Sequence, residues 1–262
     1  LVILQDEDFF WLGRSIAAQN PHAYTKRDMA KPVRDTRAGL LPPKLAQILL
    51  NLGAWAAHSM QPADAKKPKK PAPLLIFDPF CGTGVIPIEC LVRGWPVLAA
   101  DVSQKAVSGC EKNIEWTRKT FDIKKKDVAS SVWKQDARKK FELKEKPDVV
   151  VTETHLGPAL SERPTQKDAM KIRTEVDGIE REFLENMAAS LPGVPVIVTW
   201  PCWQLKTGAL FLERVYNDLA KLGFEAVLPP GIETDNAGRI SLLYRRPDQT
   251  VGREILILKP HS

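Results

Sequence analysis

Cysteine is scarce in this 262-residue chain: Cys81, Cys90, Cys110 and Cys202 lie far apart, with no CxxC and no Cys/His pair at metal-ligand spacing. Neither a zinc site nor a disulfide framework is expected, and a reducing compartment suits the thiols. No apolar stretch approaches the roughly 20 residues that span a bilayer, and the N-terminus has no basic-then-apolar layout of a signal peptide. The expectation is a soluble, cytoplasmic protein. Histidine is scarce too, and His22, His58 and His261 each stand singly. There is no internal repeat. What is present is 44% hydrophobic content, enough to bury one large core unaided. The formal charge of +6 and isoelectric point near 9.1 attract polyanions, but an excess this mild does not select nucleic acid by itself. The first residue is Leu rather than Met, and residues 1–4 already read as a strand, so a piece of a longer protein is expected.

Three stretches differ in pattern. Residues 1–60 form an N-terminal linker ending in an amphipathic helix, where Leu45, Ile48, Leu49, Leu52 and Trp55 recur at helical spacing after Pro42-Pro43. Residues 61–73, with KKPKKPAP, have nothing apolar to bury and read as a solvated loop, or as an arm contacting phosphates. Residues 74–262 alternate short apolar runs (74–77, 96–100, 148–152, 194–200 and a weaker 130–133) with helical stretches (85–93, 104–120, 166–190 and 210–222). That alternation means a parallel sheet wrapped by helices. Residues 239–244 and 254–258, separated by the turn Arg246-Pro247-Asp248, leave no room for a crossover helix and predict an antiparallel hairpin on the sheet edge. The fold expected is α/β: a Rossmann-like, class I methyltransferase with a seven-stranded, mostly parallel sheet ending in that hairpin.

The segment LLIFDPFCGTGVIPIECLVRG sets a strand, an acid at its carboxyl end, a Gly-x-Gly turn and a helix in order. Gly82 and Gly84 let the backbone approach a ligand closely. A nicotinamide fingerprint would place a third glycine at position 87, which is Pro87 here. Asp78 repels a diphosphate and suits the ammonium and sulfonium charges of S-adenosylmethionine. Asp101, ending the next strand, can accept from both ribose hydroxyls or merely cap the following helix. Asp136 can accept the adenine amino hydrogen or be an ordinary surface residue. Cys81 and Cys90 read as small packing residues.

Together, TKRDMAKPVRDTRAGLLPPKLAQILLNL, DPFCGTGVIPIEC and DVSQKAV resemble the methyltransferase half of the THUMP-containing RNA guanine methyltransferases, particularly the archaeal and eukaryotic enzymes acting on guanosine 10 of tRNA. The resemblance implies S-adenosylmethionine as cofactor, contacted by Asp78, Phe80, Gly82, Gly84, Asp101, Val102, Asp136 and Ala137. It implies transfer to a guanine 2-amino group in tRNA, and an RNA-gripping THUMP module upstream of Leu1. Lys26, Arg27, Arg34 and Arg37, with Tyr24 beside them, are candidate RNA contacts, since Arg pairs with phosphate and Tyr stacks on bases. In the competing reading, ion pairs pin this segment to the catalytic domain.

The family's motif after the fourth strand reads Asp-Pro-Pro-Tyr or Asn-Pro-Pro-Phe, then Gly; here residues 151–158 are VTETHLGP. Glu153 can stand in for the acid and His155 for the planar ring, but both prolines are missing. Two readings follow: a divergent amine methyltransferase with Glu153 and His155 catalytic, or a cofactor- or RNA-binding pseudoenzyme of the same fold. A DNA or protein amine methyltransferase would share the glycine loop but not the RD and LPPKLAQ block. Trp203 in TWPCW reads as a pocket wall or as core.

Overall fold

The computed structural model describes residues 1–6, 8–34, 41–60, 72–158, 160, 162–234, 238–246 and 249–261. An N-terminal antiparallel hairpin, β1 (Val2–Asp6) and β2 (Phe9–Gly13), is followed by α1 (Pro21–Met29) and α2 (Pro43–Ser59). The main body then runs β3 (Ile76–Asp78), α3 (Val85–Arg93), β4 (Val97–Asp101), α4 (Gln104–Phe121), β5 (Ser130–Lys134), β6 (Val149–Glu153) and α5 (Gln166–Ser190). It closes with β7 (Val196–Leu205), β8 (Gly208–Leu210), α6 (Glu213–Asn217), β9 (Phe224–Ala226), β10 (Leu242–Tyr244) and β11 (Val251–Pro260).

The sheet order is β10-β11-β7-β6-β3-β4-β5, with β8 and β9 added on β7 and β11. Strands β5, β4, β3, β6 and β7 run parallel, and β11 is antiparallel to both β7 and β10. The expected hairpin is therefore there, with β10 at the edge and the last strand inserted inside it. β3 and β6 are buried along almost their whole length, as continuous apolar runs require when helices cover both faces. On one face α5 packs Val176, Phe183, Leu184 and Met187 against Phe77, Val150, Val198 and Trp200. On the other, α2 packs Leu45, Leu49 and Ala56 against Ile76, Val149, Val151 and Ile197.

Three expectations change. The fifth strand runs through TWPCW to Leu205 rather than stopping at Trp200, and Trp203 is fully buried in the core. The helix expected over 210–222 shrinks to α6, because the chain turns at Lys206 and Thr207 and takes Leu210 into β8, which opens on Gly208 (φ 127°). The N-terminal strand has a partner, β2, that the sequence reading did not include, and Ile3, Leu4, Phe9, Phe10, Trp11 and Leu12 on this hairpin are all exposed. Among the described residues no helix is long and apolar enough to cross a membrane.

Gly53 marks where α2 comes closest to the sheet: a Cβ there would lie 2.8 Å from Val151 Cγ2 and 3.5 Å from Val149 Cγ2. Gly53→Ala gains roughly 1 kcal/mol of helix propensity but forces the stiff, buried side chain of Val151 aside, while Val149 stays at ordinary contact distance, at about 1–3 kcal/mol. The expected outcome in urea denaturation is a net loss of about 1 kcal/mol; a gain would mean that the helix sits farther from the sheet.

Candidate functional site

The winding reverses between β3 and β6, so the crevice beyond the carboxyl end of β3 is where an open α/β sheet takes a ligand. The glycine loop fills its floor. Gly82 and Gly84 hold φ of 51° and 87°, left-handed values that favour glycine. Cys81 N–H donates to the Ala100 carbonyl at 2.9 Å and Gly82 N–H to Asp101 Oδ2 at 2.9 Å, so the loop is tied to the end of β4 by two bonds. A Cβ on Gly84 would meet Cys110 Sγ at 2.6 Å, whereas one on Gly82 would meet nothing within 4 Å. Gly84 serves helix packing, and Gly82 faces open space.

Asp101 also accepts from Ser103 N–H, at 2.8 Å on Oδ1, and Ser103 is the N-cap of α4. Asp101 does not itself cap α4, a role taken by Ser103 Oγ, which accepts from Ala106 N–H; it orders the turn before that helix, and each carboxylate oxygen has a second lone pair. Val102, the next residue, is 59% exposed, an apolar side chain at the strand end with nothing covering it. Phe80 is half-buried, packed edge-on to Phe183 with centroids 5.1 Å apart. Ala137 is buried, and its carbonyl accepts from Asn186 Nδ2 at 2.8 Å.

Asp78 is placed differently from the expectation of an open carboxylate facing a cation. It is 1% exposed, accepting from Thr152 Oγ1 at 2.6 Å and Phe80 N–H at 3.3 Å. Burial pushes its pKa up to about 8. Its visible work is to join β3 to β6 and to hold the start of the loop. Asp136 is claimed by Arg138, whose Nε and Nη2 reach its two oxygens at 3.0 and 2.8 Å; hydrogen bonding from Arg138 lowers its pKa. An adenine amino group would have to share that carboxylate.

Beyond β6, Glu153 is paired with Arg253 of β11, whose Nε lies 2.5 Å from Oε1, with 15% of the Glu153 side chain and 4% of the Arg253 side chain exposed. Burial raises the Glu153 pKa, and Arg253 works against that rise. Glu153 is therefore a charge matched inside the fold rather than a free acid. Thr154 donates to the Thr199 carbonyl at 2.9 Å, and His155 is exposed at the mouth of the following loop. Behind this loop Glu180 is fully buried, accepting from Trp200 Nε1 at 2.8 Å, with its pKa pushed up to about 8 by burial.

The basic block separates into parts. Lys26 and Arg34 are exposed, and Arg37 lies outside the described residues. Arg27 is corrected: it is 4% exposed and bonded to Glu89 Oε1 at 2.5 Å, with its guanidinium 4.5 Å from the centre of the Tyr24 ring. Tyr24 donates to Gln47 at 2.7 Å, and Gln47 to Glu89 Oε2 at 2.6 Å. This network pins α1 to α2 and α3, so Arg27 is unavailable to phosphate and the Tyr24 ring is already covered on one face. Sequence reasoning missed Glu89, Thr152 and Arg253. The signal for Glu89 was visible, as a lone acid in the apolar helix VIPIECLV.

The fold is that of the Rossmann-like, class I methyltransferases. NSun6 from Pyrococcus horikoshii, solved with SFG, aligns over 72% of this chain and 48% of that one, with 18% identity and a TM-score of 0.50. Magnesium protoporphyrin IX methyltransferase from Synechocystis, solved with bound SAH, aligns over 83% of both chains at 14% identity and a TM-score of 0.47. In sequence the chain is 29% identical over 154 residues to a tRNA (guanine(10)-N2)-dimethyltransferase of Methanothermobacter thermautotrophicus, covering 58% of this chain and 36% of that protein. The chain thus spans about a third of the length of the curated relative it matches. No family model matches it.

Raised pKa values in the folded state make stability depend on pH. Asp78 and Glu180, with folded values of about 8, bind protons more tightly folded than unfolded, so their contribution is complete below the unfolded values near pH 4 and is lost as pH rises towards 8. Glu153 and Asp177, whose values are also raised, act in the same sense. In urea titrations the unfolding free energy should fall between pH 5 and 8, and Asp78→Asn should flatten the slope by up to one proton, about 1.4 kcal/mol per pH unit. An unchanged slope would mean that Asp78 stays ionised in the fold.

Proposed function

We propose that this chain is the S-adenosylmethionine-binding catalytic domain of an RNA methyltransferase whose acceptor is the exocyclic 2-amino group of a guanosine in tRNA, working in the cytoplasm. The observation that carries it is the loop from Asp78 to Gly84: it is tied to Asp101 and leaves Gly82 facing open space, with uncovered Val102 beside it. These residues fit the cofactor: close backbone approach at Gly82, a carboxylate with spare lone pairs for the ribose at Asp101, and an apolar surface for the adenine at Val102. When bound, the cofactor supplies an electrophilic methyl group on a positively charged sulfur.

The protein's part is positioning. Glu153, held in place by Arg253, accepts a hydrogen of the acceptor amine, and the exposed ring of His155 lies against the base. Transfer of the methyl group from sulfur to the amine would leave the nitrogen with one proton in excess, which would pass to water at the exposed end of the site beside His155. Lys26 and Arg34 meet the RNA backbone as exposed cations. The tRNA acceptor rests on the resemblance of residues 26–44 and on the guanosine-modifying relative. A second reading, a binding-only pseudoenzyme, draws on the Glu153–Arg253 pair, because a carboxylate neutralised by a buried arginine is a weaker acceptor.

Calorimetry with S-adenosylhomocysteine should show binding that Asp101→Ala weakens by about 1–3 kcal/mol, the scale of a lost charge-assisted hydrogen bond. Absence of binding by a folded chain would remove the cofactor reading. Radiolabelled methyl transfer to unmodified tRNA tests the rest: Glu153→Gln should slow transfer by about 10- to 100-fold with cofactor affinity retained, and thermal melting must show the variant folded. Binding of cofactor and tRNA without transfer would establish the pseudoenzyme.

A further inference from the structure

The loop that carries His155 is held at two points. Thr154, 4% exposed, donates its hydroxyl to the Thr199 carbonyl at 2.9 Å, and Thr199 stands opposite Glu153 in the register of β6 and β7. Gly157 lies against α5 and the Trp203 ring: a Cβ there would come 2.8 Å from Ile172 Cγ2 and 3.8 Å from Trp203 Cζ2. Between these anchors lie Leu156 and His155, the latter exposed. The pose of that ring therefore depends on the β7 and α5 residues beneath the loop.

Glu180 joins those two elements. It projects from α5 with no exposed surface, and its Oε2 accepts from the Trp200 indole at 2.8 Å. The carbonyl that receives Thr154 belongs to the peptide unit linking Thr199 to Trp200. One short chain of bonds thus runs from Glu180 through Trp200 to the residue between Glu153 and His155. The buried acids Glu89, Glu254 and Glu153 each have an arginine, whereas Glu180 has an indole, and its Oε1 has no hydrogen-bond partner among the described residues. A carboxylate so placed would be an unpaired buried charge; a protonated acid leaves only a neutral oxygen unmatched.

We propose that Glu180 is a positioning residue for methyl transfer: by holding Trp200 it fixes the Thr199–Trp200 peptide unit, and with it the loop that brings Glu153 and His155 to the acceptor base. The inference rests on the methyl-transfer reading above and adds a residue of α5 that never touches the substrate. Burial pushes the Glu180 pKa up to about 8, and Asp177 on the same helix adds to the rise. The groups meeting it from β7 and from beyond β6, the Trp200 indole and the Thr154 hydroxyl, carry no charge. Glu180 is therefore protonated at neutral pH, and ionisation as pH rises through 8 disturbs its hold on Trp200.

Methyl transfer to unmodified tRNA, followed as kcat across pH, tests it. Glu180→Gln keeps the shape and the acceptor for Trp200 but cannot ionise. It should retain at least about half of the wild-type kcat at pH 7 and lose part of the fall in rate that the wild type shows above pH 8. Asp78, whose pKa is also about 8, adds a fall common to both proteins, so the Glu180 part is the difference between the two profiles. Glu180→Met should lower kcat about 10- to 100-fold, the scale of a small misplacement of reacting groups, with affinity for S-adenosylhomocysteine kept within about twofold. Should Glu180→Met fail to fold, Trp200→Phe breaks the same hydrogen bond from the other side and should give the same split. A folded Glu180→Met that keeps kcat, or a Glu180→Gln profile identical to the wild type, overturns the inference and leaves the methyltransferase reading standing. If the wild type binds cofactor and tRNA without transfer, the methyl-transfer reading falls and this inference with it.

Discussion

Parallel strands wind outwards from β3 in both directions, to β4 on one side and β6 on the other, so their connections must part above its carboxyl end. Everything of chemical interest hangs on that parting. The glycine loop is the connection on one side, and the Glu153-to-Pro158 stretch begins the connection on the other. Asp78 sits on the divide and bonds across it to Thr152, holding the edges of the crevice in one register. A buried hydrogen bond between an acid and a hydroxyl suits this task, since neither partner can turn to water without leaving the other unsatisfied.

Buried charge is the second organising feature. Glu89, with no exposed surface, gathers Arg27, Gln47 and through Gln47 the Tyr24 hydroxyl, so α1, α2 and α3 share one ionic centre. On the opposite side of the sheet, Glu254 is equally buried and takes Arg239 and Ser241, which fastens the residues before β10 to β11. Breaking either pair would strand a charge in the interior. These pairs give the basic N-terminal block its double character: some of its cations are spent on the fold and others remain at the surface.

Much of the architecture was legible from local pattern. The order of strands and helices, the C-terminal hairpin and the glycine loop follow from periodicity and from backbone demands at Gly82 and Gly84, which neighbours in sequence express. Strand β5 read weakly because it is the sheet's edge and only partly buried. The helix expected over 210–222 lost its start because cross-strand pairing of Leu210 with Trp203 overrode its helical spacing.

The sequence by itself determined the Rossmann-like class, the place of the glycine loop and the position of Asp101 at the end of its strand, since each depends on residues close along the chain. Only the tertiary structure decided which charged groups are free. Arg27 meets Glu89 across 62 positions and Arg253 meets Glu153 across 100, and no local signal encodes such partners. The burial of Lys31 likewise depends on how residues 31–34 are strapped to α4. A charge keeps its function or surrenders it to the fold according to what packs against it, and packing is settled by strand order and helix placement rather than by neighbours in sequence.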